Sequence, residues 1–166
     1  MVVVMLMVSG SLQAQDVKRS VDTFTGDTIW ETKYGRLDDA HGCSRSNLAI
    51  VWKLIRGSHS HSEWLTYQYF DVGALRATRW MNAVSAAINI DGQIIELKEH
   101  PMSPHIEGGG DDKSEYGAFV LPDSTLQRVA DAASTKIRFV GTDRVCDGTV
   151  EQNMKDRLHH LLEATR

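Results

Sequence analysis

Concentrated charge is missing from this chain: 18 lysines and arginines stand against 22 aspartates and glutamates, the formal net charge is −4, and no basic run is longer than a pair. That excludes a phosphate-tracking surface, so nucleic acid is not an expected partner. Once the first fourteen positions are set aside, no apolar run approaches the roughly 20 residues of a membrane-spanning helix. Nor does any segment pattern as a helix with the basic face of a membrane-surface binder. Several enzyme signatures are absent as well. There is no Gly-x-Ser-x-Gly elbow, and Gly108-Gly109-Gly110 neither follows a strand directly nor opens a helix as a phosphate loop must. Asp38-Asp39 and Asp111-Asp112 are sequence neighbours, which gives no support to paired acid–base carboxylates.

The one strongly apolar segment, Met1 to Ala14, is uncharged and closes on Leu12-Gln13-Ala14. It reads as the hydrophobic and cleavage regions of a secretory signal peptide, although the basic residue that ordinarily begins one is missing. Residues 1–14 are therefore expected to be removed and residues 15–166 to form a single domain. At about 150 residues such a chain buries roughly two-thirds of its unfolded surface. The alternative for the opening segment is a buried strand built from Val2, Val3, Val4, Leu6 and Val8. Export implies a periplasmic or secreted location.

Cysteine is scarce, with Cys43 and Cys146 alone. In an oxidising compartment an even number invites pairing, so a Cys43–Cys146 disulfide is expected. The alternatives are two buried thiols, or Cys43 activated by His41, for which no base-orienting partner is identifiable.

From Val21 to Phe70 the pattern is strands and turns, with β-branched and aromatic runs at Ile29 to Tyr34, Asn47 to Ile55 and Glu63 to Phe70. Trp30, Trp52 and Trp64 fall in separate strands and are expected to fill the space beside a sheet. Asp71 to Met81 is ambiguous: Ala74, Leu75, Thr78 and Trp80 fit either a helical turn or an irregular connection. Ala87 to Ile90 and Gln93 to Leu97 flank Asp91-Gly92, a dipeptide that accepts positive φ at both central turn positions, which predicts a hairpin. His100 to Ser114 holds Pro101, Pro104 and three glycines and reads as a mobile surface loop. A strand over Glu115 to Leu121 follows. Ser124 and Gln127 have capping-box spacing before the apolar stripe Leu126, Val129, Ala130 and Ala133. A second hairpin, Lys136 to Val140 and Arg144 to Asp147, precedes a closing helix over Glu151 to Ala164, with Val150, Met154, Leu158, Leu161 and Leu162 on one face. The predicted class is α+β: an antiparallel β-sheet of about six to eight strands with two C-terminal amphipathic helices packed on it.

The stretch Asn89 to Leu97, with Leu121-Pro122-Asp123, Leu126 to Ala132 and Lys136-Ile137-Arg138-Phe139, resembles a layout recurring in uncharacterised bacterial envelope proteins. The resemblance implies no activity, cofactor or binding residue.

One cluster carries possible chemistry. In His59-Ser60-His61-Ser62-Glu63, alternate residues of an extended strand share a face, bringing His59, His61 and Glu63 together as candidate ligands for a transition metal. Its bland counterpart is a polar hairpin tip. His100 and His105 could add ligands, and Gly108 to Asp112 superficially suggests a calcium turn, but a single copy without a terminal glutamate lacks the pattern of calcium loops. The expected function is thus a non-catalytic binding or structural module without a cofactor, whose partner is an unknown protein or small-molecule ligand. The alternative is a metal-binding protein or metalloenzyme using His59, His61 and Glu63.

Overall fold

The computed structural model describes residues 16–43, 48–57, 61–70, 80–99, 105–107, 114–142 and 144–166. The proposed signal peptide lies outside them, as do most of the segment after Phe70 and most of the proline- and glycine-rich stretch. Eleven strands and two helices follow in chain order: β1 (Val17–Val21), β2 (Thr28–Thr32), β3 (Gly35–His41), β4 (Leu48–Arg56), β5 (His61–Phe70), β6 (Ala83–Ile90), β7 (Gln93–Glu99), β8 (His105–Glu107), β9 (Ser114–Leu121), α1 (Thr125–Asp131), β10 (Thr135–Gly141), β11 (Val145–Val150) and α2 (Gln152–Ala164).

The α+β class and antiparallel pairing are as expected, but the sheet has more strands than the six to eight anticipated. The extra ones have sequences that do not read as strands. β1 is Val-Lys-Arg-Ser-Val, β3 carries two consecutive aspartates, and β8 is three residues long. Each is held by its neighbours rather than by its own β propensity. Only α2 is C-terminal, since α1 is followed by the β10–β11 hairpin.

Pairing runs β4–β3–β11–β10–β6–β7–β9–β5 and returns from β5 to β4, so the sheet curls round a concave, apolar side. The β1–β2 hairpin extends it beyond β4. Alternation decides which residues face inward. On β4 these are Leu48, Ile50, Trp52 and Leu54; on β5, Leu65, Tyr67 and Tyr69; on β10, Ile137 and Phe139. Tyr67, Phe119 and Phe139 form a triangle of rings with centroids 5.3 to 6.1 Å apart. The helices pack on each other, and Leu126, Val129 and Ala130 of α1 join Met154, Leu158 and Leu161 of α2 in the same core cluster.

Two buried charges clamp α1 between them. Glu63 of β5 accepts the Ser124 N–H (3.0 Å) and the Leu126 N–H (2.8 Å) at its N-terminus. Lys155 of α2 donates from Nζ to the Ala132 and Ala133 carbonyls (2.7 and 3.2 Å) at the other end. Both charges complement the helix dipole and satisfy orphan backbone groups. The capping box predicted from Ser124 and Gln127 does not form: Ser124 stands at φ 66° with no side-chain cap. A carboxylate from a distant strand has taken its place.

The Asp91-Gly92 turn forms as predicted, with φ of 49° and 91°. Asp91 also accepts the Ala133 and Ser134 N–H groups (3.2 and 2.7 Å), tying this hairpin to the start of β10. Cys43 and Cys146 are joined, as expected, with Cα atoms 5.3 Å apart.

On the outer side, Lys18, Glu31 and Lys53 lie directly opposite one another across β1, β2 and β4. Glu31 sits 3.3 Å from Lys18 and 3.2 Å from Lys53. Burial works to raise the Glu31 carboxyl, but the charges and hydrogen bonds of Lys53 and Lys18 outweigh it and hold the group below its ordinary value. Because the folded value is depressed, this stabilisation is present above the unfolded carboxylate range and is lost as pH falls through the folded value. Glu31→Gln should therefore lower the melting temperature slightly at neutral pH and leave it unchanged at pH about 2. An equal loss at both pH values in a thermal-melt series would contradict this.

Candidate functional site

Outward-facing residues of five strands build an open groove of about 480 Å³ on the convex side of the sheet. Register explains its composition. One row crosses from Ile94 on β7 to Asn89 on β6, Lys136 on β10 and Thr149 on β11. The next row, two residues along, holds Glu96, Ala87, Arg138, Asp147 and His41 in the same strand order, ending on β3. Directly opposed side chains on one face lie about 5 Å apart, so each row is a continuous strip. Ala87 is small among long neighbours and leaves the hollow, while the charged side chains form its sides.

The floor is electrically settled. Arg138 donates from Nε and Nη2 to the same Asp147 oxygen, at 3.1 and 2.7 Å, so this pair is neutral as a unit. Asn89 accepts the Gly92 N–H on Oδ1 at 2.8 Å, which anchors its side chain to the hairpin turn.

The β3 wall is irregular. Thr149 opposes Asp38 and Asp147 opposes His41, so β3 spends Asp39 and Ala40 where β11 has Gly148 alone. This one-residue bulge places Asp39 on the groove wall at φ 48°. A left-handed non-glycine residue inside a strand is uncommon and costs roughly 1 kcal/mol even for aspartate. Bulges of this kind re-aim side chains beside functional sites.

Two members of the sequence-based ligand set, His61 and Glu63, fall among the described residues. His59 lies outside the described residues, and His61 is exposed at the start of β5 opposite Arg56. Glu63 is buried, with its two oxygens on separate α1 N–H groups. Its carboxylate therefore has a structural task that the sequence gave no sign of. Among the described residues, no group of three or more His, Cys, Asp or Glu is placed to hold a metal ion. His105 stacks on Tyr116 with centroids 5.8 Å apart, on another part of the outer face.

Sequence reasoning missed the groove. Its residues come from positions 39 to 149, and in the sequence Asp39 is only half of an adjacent acidic pair. The signal available was weak: Lys136 and Arg138 alternate on a predicted strand, as do Ala87 and Asn89.

Among the described residues no helix is long and apolar enough to cross a membrane. No protein-family model, curated protein or solved structure matches this chain.

Proposed function

We propose that this protein is an exported, non-catalytic binding module that takes a small ligand in the groove across β3, β11, β10, β6 and β7. The observation that carries the reading is the groove itself: a hollow of ligand size, rimmed by charge and floored by a self-neutralised Arg138–Asp147 pair. Such a floor is pre-organised, which lowers the entropic cost of binding. The disulfide supports an oxidising compartment, either periplasmic or extracellular.

Ala87→Trp tests the assignment. Ala87 faces outward between Glu96 and Arg138, so a large ring there fills the hollow without entering the core. In amide chemical-shift titrations against a panel of amino acids, short peptides and organic acids, binders should perturb residues 87, 89, 136, 138, 147 and 149 together. The Ala87→Trp protein should melt within a few degrees of the parent and lose those perturbations. Shifts scattered over the surface, or shifts that survive the substitution, would sink the proposal.

A further inference from the structure

We infer, resting on the groove reading above, that the ligand is a zwitterion about as long as an extended tripeptide, its anionic end against Lys136 and its cationic end against Asp39.

The argument begins with which charges remain. Arg138 and Asp147 neutralise each other at the centre of the groove. Among the described residues neither Lys136 nor Asp39 has an ion-pair or hydrogen-bond partner for its charged group. The two therefore stand as opposite, uncompensated charges on β10 and β3, with β11 between them. Two strand spacings separate these walls, about 9.6 Å. An extended chain advances about 3.3 to 3.6 Å per residue, so three residues span that distance between termini. A single amino acid is shorter than this strand-to-strand span.

The surroundings of each charge agree with this polarity. Beside Lys136, Asn89 on β6 adds an amide. On the far wall, the β3 bulge holds Asp39 in its left-handed conformation. A residue kept at a conformational cost on the wall of a groove is what a binding role for its carboxylate would explain.

The test uses the intact protein and the peptide Ala-Ala-Leu, with its N-acetylated, C-amidated and doubly capped forms and free leucine as comparisons. Calorimetry gives affinities and amide shifts locate the binding. The free tripeptide should bind most tightly, and capping either end should weaken it about tenfold or more, the scale of one lost charge contact. Lys136→Ala should abolish the discrimination between acid and amide while keeping that between amine and acetyl. Asp39→Asn should do the reverse. This crossed pattern is what a merely structural role for either residue would not produce.

Asp39→Gly supplies a second readout. It relieves the backbone strain, so the variant should be as stable as the parent or more so, yet lose the preference for a free amine. Equal binding of the free and doubly capped peptides at the groove would overturn the charge assignment and leave the binding reading intact. Leucine binding as tightly as the tripeptide would overturn the length. No groove shift with any of the five probes would overturn both the inference and the binding reading for this ligand class.

Discussion

Gly117→Val is expected to destabilise the protein by about 3 to 5 kcal/mol, through overpacking and loss of a buried hydrogen bond together. Gly117 on β9 lies directly opposite Tyr67 on β5. A Cβ at this position would stand 2.4 Å from Tyr67 Cε1 and 2.6 Å from its hydroxyl. The phenol ring thus occupies the space that any side chain would need. Tyr67 cannot yield freely, because it is fully buried against Phe119 and Phe139 and donates its hydroxyl to Glu115 Oε1 at 2.7 Å.

Glu115 is fully buried, and its second oxygen accepts the Asn82 N–H at 3.0 Å. Displacing the ring therefore removes a hydrogen bond from a carboxylate that has no access to water, a more costly loss than an apolar clash alone. Urea denaturation should show the midpoint falling with little change in slope. Combining Gly117→Ala with Tyr67→Leu should cost less than the sum of the two single changes, because the smaller side chain vacates the contested space. Strict additivity would mean that the two positions do not compete.

Reducing the Cys43–Cys146 bridge is the second large effect. The bond closes a loop with a sequence separation of 103 residues, for which the chain-entropy relation gives about 4.7 kcal/mol. We expect a loss of roughly 3 to 5 kcal/mol, or about 10 °C in melting temperature for a domain of this size. Both cysteines are buried, so the Cys43→Ala/Cys146→Ala variant should match the reduced protein more closely than a serine pair, which would bury hydroxyls. The bridge also depends on Gly42. Its φ of 77° and the position of the Val145 carbonyl, 1.8 Å from where a Cβ would lie, leave room for no side chain. Gly42→Ala should therefore push the end of β3 away from β11 and slow formation of the bond. A melting temperature unchanged by reductant would refute the stabilising role.

Legibility in the sequence followed the range of the interactions. The Asp91-Gly92 hairpin and the closing helix were readable because their determinants lie within a turn or a few helical turns of each other: positive φ at two adjacent residues, and an apolar stripe at Met154, Leu158 and Leu161. The cysteine pairing followed from an even number and an expected oxidising compartment. β1 and β3 were not readable, since Lys18, Arg19, Asp38 and Asp39 become strand residues only through partners on β2, β4 and β11. Glu63 shows the same limit at a single residue. Its sequence neighbours suggested a metal ligand, whereas its hydrogen-bonding partners, Ser124 and Leu126, lie 61 and 63 positions away.

By itself, then, the sequence determined the class of fold, the antiparallel pattern, the hairpins with local turn chemistry and the pairing of two cysteines. Tertiary structure alone decided the curl that brings β5 back to β4, the clamp of Glu63 and Lys155 on α1, and the groove. Strand alternation tells which side chains share a face, but only register across five strands tells which of them are neighbours, and a single bulge at Asp39 and Ala40 changes that register.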